Sequence, residues 1–164
     1  MKHGAAESVD DEQLCADIYQ CLGKALRFQG DARAPVVVLK RASQLYAQLG
    51  LLEKQASCLN VLGEVAHGRG HWSEALSHWE VLAEIAESLG LVPELINTCC
   101  NLGGLYRDRG LTKQGHSTLK RGLALTREHE TPQLEAMLLG HLGASLICEG
   151  RFGLARMRLI RCRA

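Results

Sequence analysis

A Leu-Gly pair recurs along this chain at Leu22-Gly23, Leu62-Gly63, Leu102-Gly103 and Leu142-Gly143, each 40 residues after the last. A second glycine follows each pair at a fixed offset, at Gly30, Gly70, Gly110 and Gly150. A third landmark, Leu49-Gly50 and Leu89-Gly90, closes the first two units. Landmarks sharing one period define a tandem repeat. A unit of this size buries its apolar face only by stacking on its neighbours.

Each unit reads as two helices. In the first, Cys15, Tyr19, Leu22 and Leu26 recur at three- and four-residue steps, predicting one apolar stripe. Gly30 is expected to end that helix, because glycine takes the left-handed cap conformation cheaply. The second helix is expected from Pro35 through Val38, Ala42, Leu45 and Leu49. The second unit repeats the pattern with Leu59, Leu62 and Ala66, then Ala75, Trp79, Leu82 and Ile85. Pro93 and Pro132 open the first helices of units three and four, where the missing N–H has no intrahelical partner. Thr112 and Thr131 are read as N-caps. The glycine inside each first helix costs about 1 kcal/mol relative to alanine. Close approach of the unit's second helix is the expected reason. Gly115 and Gly122 suggest looser packing of the second helix of unit three.

Composition agrees with an all-α chain. Of 164 residues, 46% are apolar, enough for a core, and only 4% are aromatic, fewer than an all-β core needs. The net charge of +1 argues for neither nucleic acid nor a membrane surface. No apolar run approaches the length of a membrane span, and no signal peptide is visible. The cysteines are Cys15, Cys21, Cys58, Cys99, Cys100, Cys148 and Cys162. Their odd number and the lack of a C-x-x-C pair predict buried free thiols in a reducing, cytoplasmic setting. His67 and His71 straddle a glycine-rich turn, and no four-ligand cluster accompanies them, so no metal is expected. No nucleophile elbow, phosphate loop or zinc-protease motif occurs, so neither an enzyme nor a cofactor is expected.

These residues resemble the tetratricopeptide repeat. Tyr19-x-x-Leu22-Gly23 and Leu102-Gly103-x-x-Tyr106 match the first half of its pattern, and Ala75-x-x-x-Trp79 matches the second. Ala155-x-x-x-Leu159 matches that half loosely. The likeness covers Asp10 to Arg161. The period is longer than the family's usual 34 residues, and in that it resembles Pins-type polarity adaptors and the sensor domains of MalT-type regulators. The resemblance implies a right-handed α-solenoid of four units, at about 10–50, 51–90, 91–130 and 131–164, after a flexible tail at 1–9.

The resemblance also implies a concave groove lined by the first helices, holding a partner peptide or helix. By position, Asp17, Gln20, Lys24 and Arg27 face it in unit one, and Ser57, Asn60, Glu64 and His67 in unit two. Asn97, Asn101, Gly104 and Arg107 follow in unit three, then Met137, His141, Ala144 and Ile147 in unit four. The row grades from charged to small and apolar. Asn101, within Asn-Leu-Gly, resembles groove asparagines that hold a peptide backbone. The carboxylate clamp of the chaperone-binding members is not reproduced: Val61 stands where an Asn is expected, and Asn97 and Asn101 stand where Lys and Arg are.

The expected function is therefore a protein-interaction module. Two alternatives stand beside it: a regulatory segment of a larger signalling or transcription protein, and a self-assembling scaffold. The last rests on charge and on the final helix. Glu7, Asp10, Asp11, Glu12 and Asp17 make the beginning acidic, and Arg151, Arg156, Arg158, Arg161 and Arg163 make the end basic. Leu154, Met157, Leu159 and Ile160 are expected to be partly uncovered, because the last helix is short and no polar cap follows it. Head-to-tail or tail-to-tail association of the terminal units would cover them.

Overall fold

The computed structural model describes residues 3–27 and 33–161. Among them are eight helices and no strand: α1 (His3–Leu26), α2 (Ala34–Gln48), α3 (Leu52–Gly68), α4 (Trp72–Leu89), α5 (Val92–Asp108), α6 (Thr112–Glu128), α7 (Pro132–Cys148) and α8 (Phe152–Arg161). The odd-numbered helices are the first helices of the repeats. The chain divides into two compact units, Met1–Ile85 and Ala86–Ala164. Helix α1 begins at His3, ahead of the Asp10 boundary expected for the array.

The helices are cut to length by one device. Gly50, Gly70, Gly90, Gly110 and Gly150 have φ between 66° and 74°. Glu130, on the same 20-residue beat, has φ 50°. At each turn the residue after the left-handed one donates its N–H five residues back, as in Leu51 to Tyr46 (2.8 Å), Leu111 to Tyr106 (2.7 Å) and Arg151 to Leu146 (2.9 Å). This is the Schellman closure, which satisfies carbonyls that the ending helix leaves open. Pro35, Pro93 and Pro132 stand in the first helical turn, as expected. The two threonines do not act as side-chain caps. Leu111 holds the N-cap position of α6, and Thr112 Oγ donates to the Gly110 carbonyl at 3.4 Å. Thr131 holds the N-cap position of α7, but its hydroxyl turns back to the Thr126 carbonyl at 3.5 Å. Gly30 lies outside the described residues.

The glycine of each Leu-Gly pair receives the side chain found 16 residues later on the second helix. A Cβ at Gly23 would collide with Leu39, and one at Gly63 with the indole of Trp79. At Gly103 it would lie 2.5 Å from Leu119 Cδ2, and at Gly143 2.8 Å from Leu159 Cδ2. The close approach expected from the sequence is therefore present in all four repeats. Gly122 serves the same end and corrects the expectation of loose packing. A Cβ there would lie 2.9 Å from Leu138 and 3.0 Å from Cys99.

Unit 1 has a core of Ala16, Leu39, Ala42, Leu45, Tyr46, Cys58, Val61 and Leu62, beside a cluster of Ala56, Leu59, Leu82 and Ile85. Unit 2 has a core that includes Ile96, Cys99, Cys100, Leu119, Leu123, Leu138, Leu142 and Leu146. The stripe expected on α1 is rotated. Ala16 and Gly23 face inward, whereas Cys15 and Leu22 are exposed. The inner face of α1 combines the small residues Ala16 and Gly23, which admit α2, with Tyr19, which packs on the core. The thiols also divide. Cys58, Cys99 and Cys100 are buried, but Cys15, Cys21 and Cys148 are exposed, contrary to the uniform burial expected. Cys162 lies outside the described residues.

Candidate functional site

In unit 1, the outward residues of α1 and α3 are tied into a polar ladder. Asp17 Oδ1 accepts from Tyr46 Oη at 2.6 Å and from Lys54 Nζ at 2.7 Å. These donors, Lys54 foremost, hold its carboxyl below the usual range against the opposing effect of burial. The ammonium of Lys54 also sits 5.6 Å from the Tyr46 ring centroid. Burial, followed by Asp17, pushes the Tyr46 phenol well up, so it stays a donor.

Gln20 comes next along α1. Its Nε2 lies 3.5 Å from the Lys54 carbonyl and 3.6 Å from Cys58 Sγ, and its Oε1 accepts from Tyr46 Oη at 3.3 Å. Burial raises the Cys58 thiol to about 11, so it acts as a neutral apolar group. Arg27 ion-pairs with Glu64, whose other oxygen accepts from Asn60 Nδ2 at 2.9 Å. His67 closes the row, its ring 5.4 Å edge-on from Trp72 and 5.7 Å from Trp79. Lys24 is exposed. Arg27, Asn60 and Glu64 are thus brought together across two helices, while Gln20 reaches Lys54, Cys58 and Tyr46 instead. Sequence spacing alone does not reveal this, since Arg27 and Glu64 are 37 residues apart.

In unit 2 the corresponding row on α5 and α7 has other chemistry. Asn97 is exposed and Asn101 is half-buried. Arg107 pairs with its neighbour Asp108, Nε to Oδ1 at 3.0 Å and Nη2 at 2.9 Å. Across from it, a Cβ on Gly104 would lie 3.9 Å from both His141 Nδ1 and Arg107 Nη2, which is ordinary contact. His141 Nδ1 is buried with no hydrogen-bond partner among the described residues. Burial, and secondarily Arg107, lowers its pKa, so the imidazole is held neutral. Further along α7, Met137 and Ile147 are exposed, and Gly140 and Ala144 are half-buried.

Among the described residues, no group of three or more His, Cys, Asp or Glu side chains is arranged to hold a metal ion. No helix among them is long and apolar enough to cross a membrane.

The arrangement defines an all-α, helical-repeat fold whose first helices carry the polar rows. No family model matches the chain, and no curated protein matches it either. Among solved structures it is similar to BtubC (BKLC) from P. vanneervenii, with a TM-score of 0.82 at 22% identity over 93% of this chain. At that identity the likeness is one of fold. The chain spans 63% of the length of that structure.

Proposed function

We propose that the chain is a protein-interaction module of the tetratricopeptide kind, holding an extended peptide or a helix along its first-helix faces. The observation that carries this reading is the α1–α3 ladder. Around the buried Tyr46, hydrogen bonds hold the half-buried Asp17, Gln20 and Lys54 in fixed positions, and Glu64 is held by Asn60 and Arg27. Polar groups fixed in this way lose little freedom when a ligand arrives, and preorganisation of this kind adds affinity. The exposed Lys24 supplies a cationic donor. Asn60 and Asn101 each offer an amide donor and acceptor, suited to a peptide backbone. Exposed Cys15, Cys21 and Cys148 with no pairing fit a reducing compartment such as the cytoplasm.

The test begins with selection of binders from a displayed library of random peptides. The selected peptides are then measured against the chain carrying Asn60→Ala with Asn101→Ala, and separately Lys24→Glu. The expected result is a loss of roughly tenfold or more, equivalent to about 1.4 kcal/mol. Affinities unchanged in both variants would remove the first-helix faces as the binding surface.

A further inference from the structure

Neighbouring first helices meet at a constant offset of 37 residues, which joins Asp17 to Lys54 and Arg27 to Glu64 in unit 1. The same offset recurs in unit 2, where the place of a side chain on Gly104 faces His141. Carried from Arg107, it lands on Ala144. Arg107 and Ala144 are also the equivalents of Arg27 and Glu64 two 40-residue repeats further on. Unit 2 therefore presents the guanidinium without the carboxylate that answers it across the helices in unit 1. Asn60, which holds Glu64 there, is matched by Gly140.

Arg107 turns instead to Asp108, the next residue of its own helix, with Nε at 3.0 Å and Nη2 at 2.9 Å from one oxygen. Adjacent residues on a helix do not face each other, and exposed pairs of this kind hold weakly. The rest of the surroundings suits an anion. Arg107 is the one charged side chain among Asn97, Asn101, Gly104, Arg107, His141 and Ala144. Its Nη2 and His141 Nδ1 converge, each 3.9 Å from the place of a Cβ on Gly104. That Nδ1 is buried with no hydrogen-bond partner among the described residues. A neutral imidazole carries one N–H, and in the Nδ1–H tautomer it donates. An acceptor arriving there satisfies a group that folding leaves unsatisfied.

We infer that the α5–α7 face selects one acidic side chain of a bound peptide. Its carboxylate takes the place on Arg107 that the Glu64 carboxylate holds on Arg27, and His141 is its second donor. This rests on the proposed binding of a peptide along the first helices, and it adds which peptide residue is selected and by what. The planar guanidinium fork matches a carboxylate through two parallel bonds. Asp108 competes for the same fork, so binding exchanges a pairing within one helix for a pairing with the ligand.

Two experiments separate the acidic site from the peptide reading beneath it. The first needs no ligand. Ala144→Glu restores the unit 1 carboxylate opposite Arg107, and it is compared with Ala144→Gln, each with and without Arg107→Gln. The Glu variant is expected to melt about 1–3 °C above the Gln variant when Arg107 is present. That gap is expected to close with Arg107→Gln and in high salt. A gap that is the same with and without Arg107 overturns the geometry.

The second uses peptides selected from a displayed random library. They are expected to share an Asp or Glu at one position. Changing that residue to its amide lowers affinity roughly tenfold on the wild type. The same change has no effect on Arg107→Gln or on Ala144→Glu, whose own carboxylate fills the site. Asp108→Asn, which removes the competitor, strengthens binding of the acidic peptide. Amidation of the peptide's C-terminus changes nothing. Selected peptides without a shared acid, an acid whose loss costs as much on Arg107→Gln, or a loss traced to C-terminal amidation overturn the acidic site and leave peptide binding standing. A library that yields no binder overturns peptide binding and the acidic site with it.

Discussion

Units 1 and 2 share a repeat length, a glycine-and-knob contact and a turn closure, yet their first-helix faces differ. In unit 1 the face is stitched by Asp17–Lys54, Tyr46–Asp17 and Arg27–Glu64. In unit 2 it carries Gly104, a neutral His141 with an unpartnered nitrogen, and an α7 row of small and apolar residues. The scaffold is set by the glycines and the left-handed turns. The two faces differ in chemistry on top of that shared scaffold.

The largest effect that probes this comparison comes from refilling the shared glycine. Gly63→Ala drives a methyl into the rigid indole of Trp79, and Gly103→Ala drives one into the more adaptable Leu119. Chemical denaturation is expected to show losses of about 2–3 kcal/mol for the first and about 1–2 kcal/mol for the second. Equal losses would mean that the knob's shape is irrelevant.

Removing polar groups should act in opposite directions. Asp17→Ala takes the acceptor from the buried Tyr46 and from Lys54, and it should cost about 1–2 kcal/mol. His141→Leu removes a buried nitrogen without a partner, and should be neutral or stabilising by up to about 1 kcal/mol. A loss at both sites would mean that the unit 2 face is held by polar contacts as well.

Acid should act on α7 before it acts on the α1–α3 ladder. The His141 pKa is lowered on folding, so the folded state resists a proton that the unfolded chain accepts. Its contribution is complete above the usual histidine value and declines as pH falls below about 6.5. Asp17 is also lowered, but its contribution is lost only as pH falls below the ordinary carboxylate range near 4. Hydrogen exchange followed helix by helix is expected to show α7 loosening before α1 and α3 as pH drops from 7. Simultaneous loosening would contradict this order.

The smallest effect is at Glu130, a left-handed residue where the five other turns have glycine. Glu130→Gly should gain about 0.5–1 kcal/mol, visible as a rise in melting temperature. No gain would mean that the turn tolerates the side chain without strain.

The repeat was legible in the sequence because glycine marks it at two places with two separate physical demands, positive φ and absent Cβ. The inner face of α1 was legible only in part: of the expected stripe Tyr19 packs on the core while Cys15 and Leu22 are exposed, and the inward-facing Ala16 and Gly23 produce no apolar periodicity. Periodicity finds a stripe but does not say which neighbour covers it. Thr131 holds the expected N-cap position, but side-chain caps at Thr112 and Thr131 are missing for a local reason. The Schellman turn already fixes the backbone there, and a threonine can bond backward as easily as forward. The candidate site was legible as a set of positions. Its pairings were not, because Asp17–Lys54 and Arg27–Glu64 join residues whose meeting depends on how helices stack.

Trp79, wedged over Gly63, has one further consequence. It and Trp72 are the only two tryptophans in the chain, and both lie within residues 1–85. Indole emission therefore watches one half of the molecule, while far-ultraviolet ellipticity watches all of it. A single denaturation series read in both channels compares the halves without any label being added. Coincident midpoints would describe a chain that melts as one body, and separated midpoints would give each half its own stability.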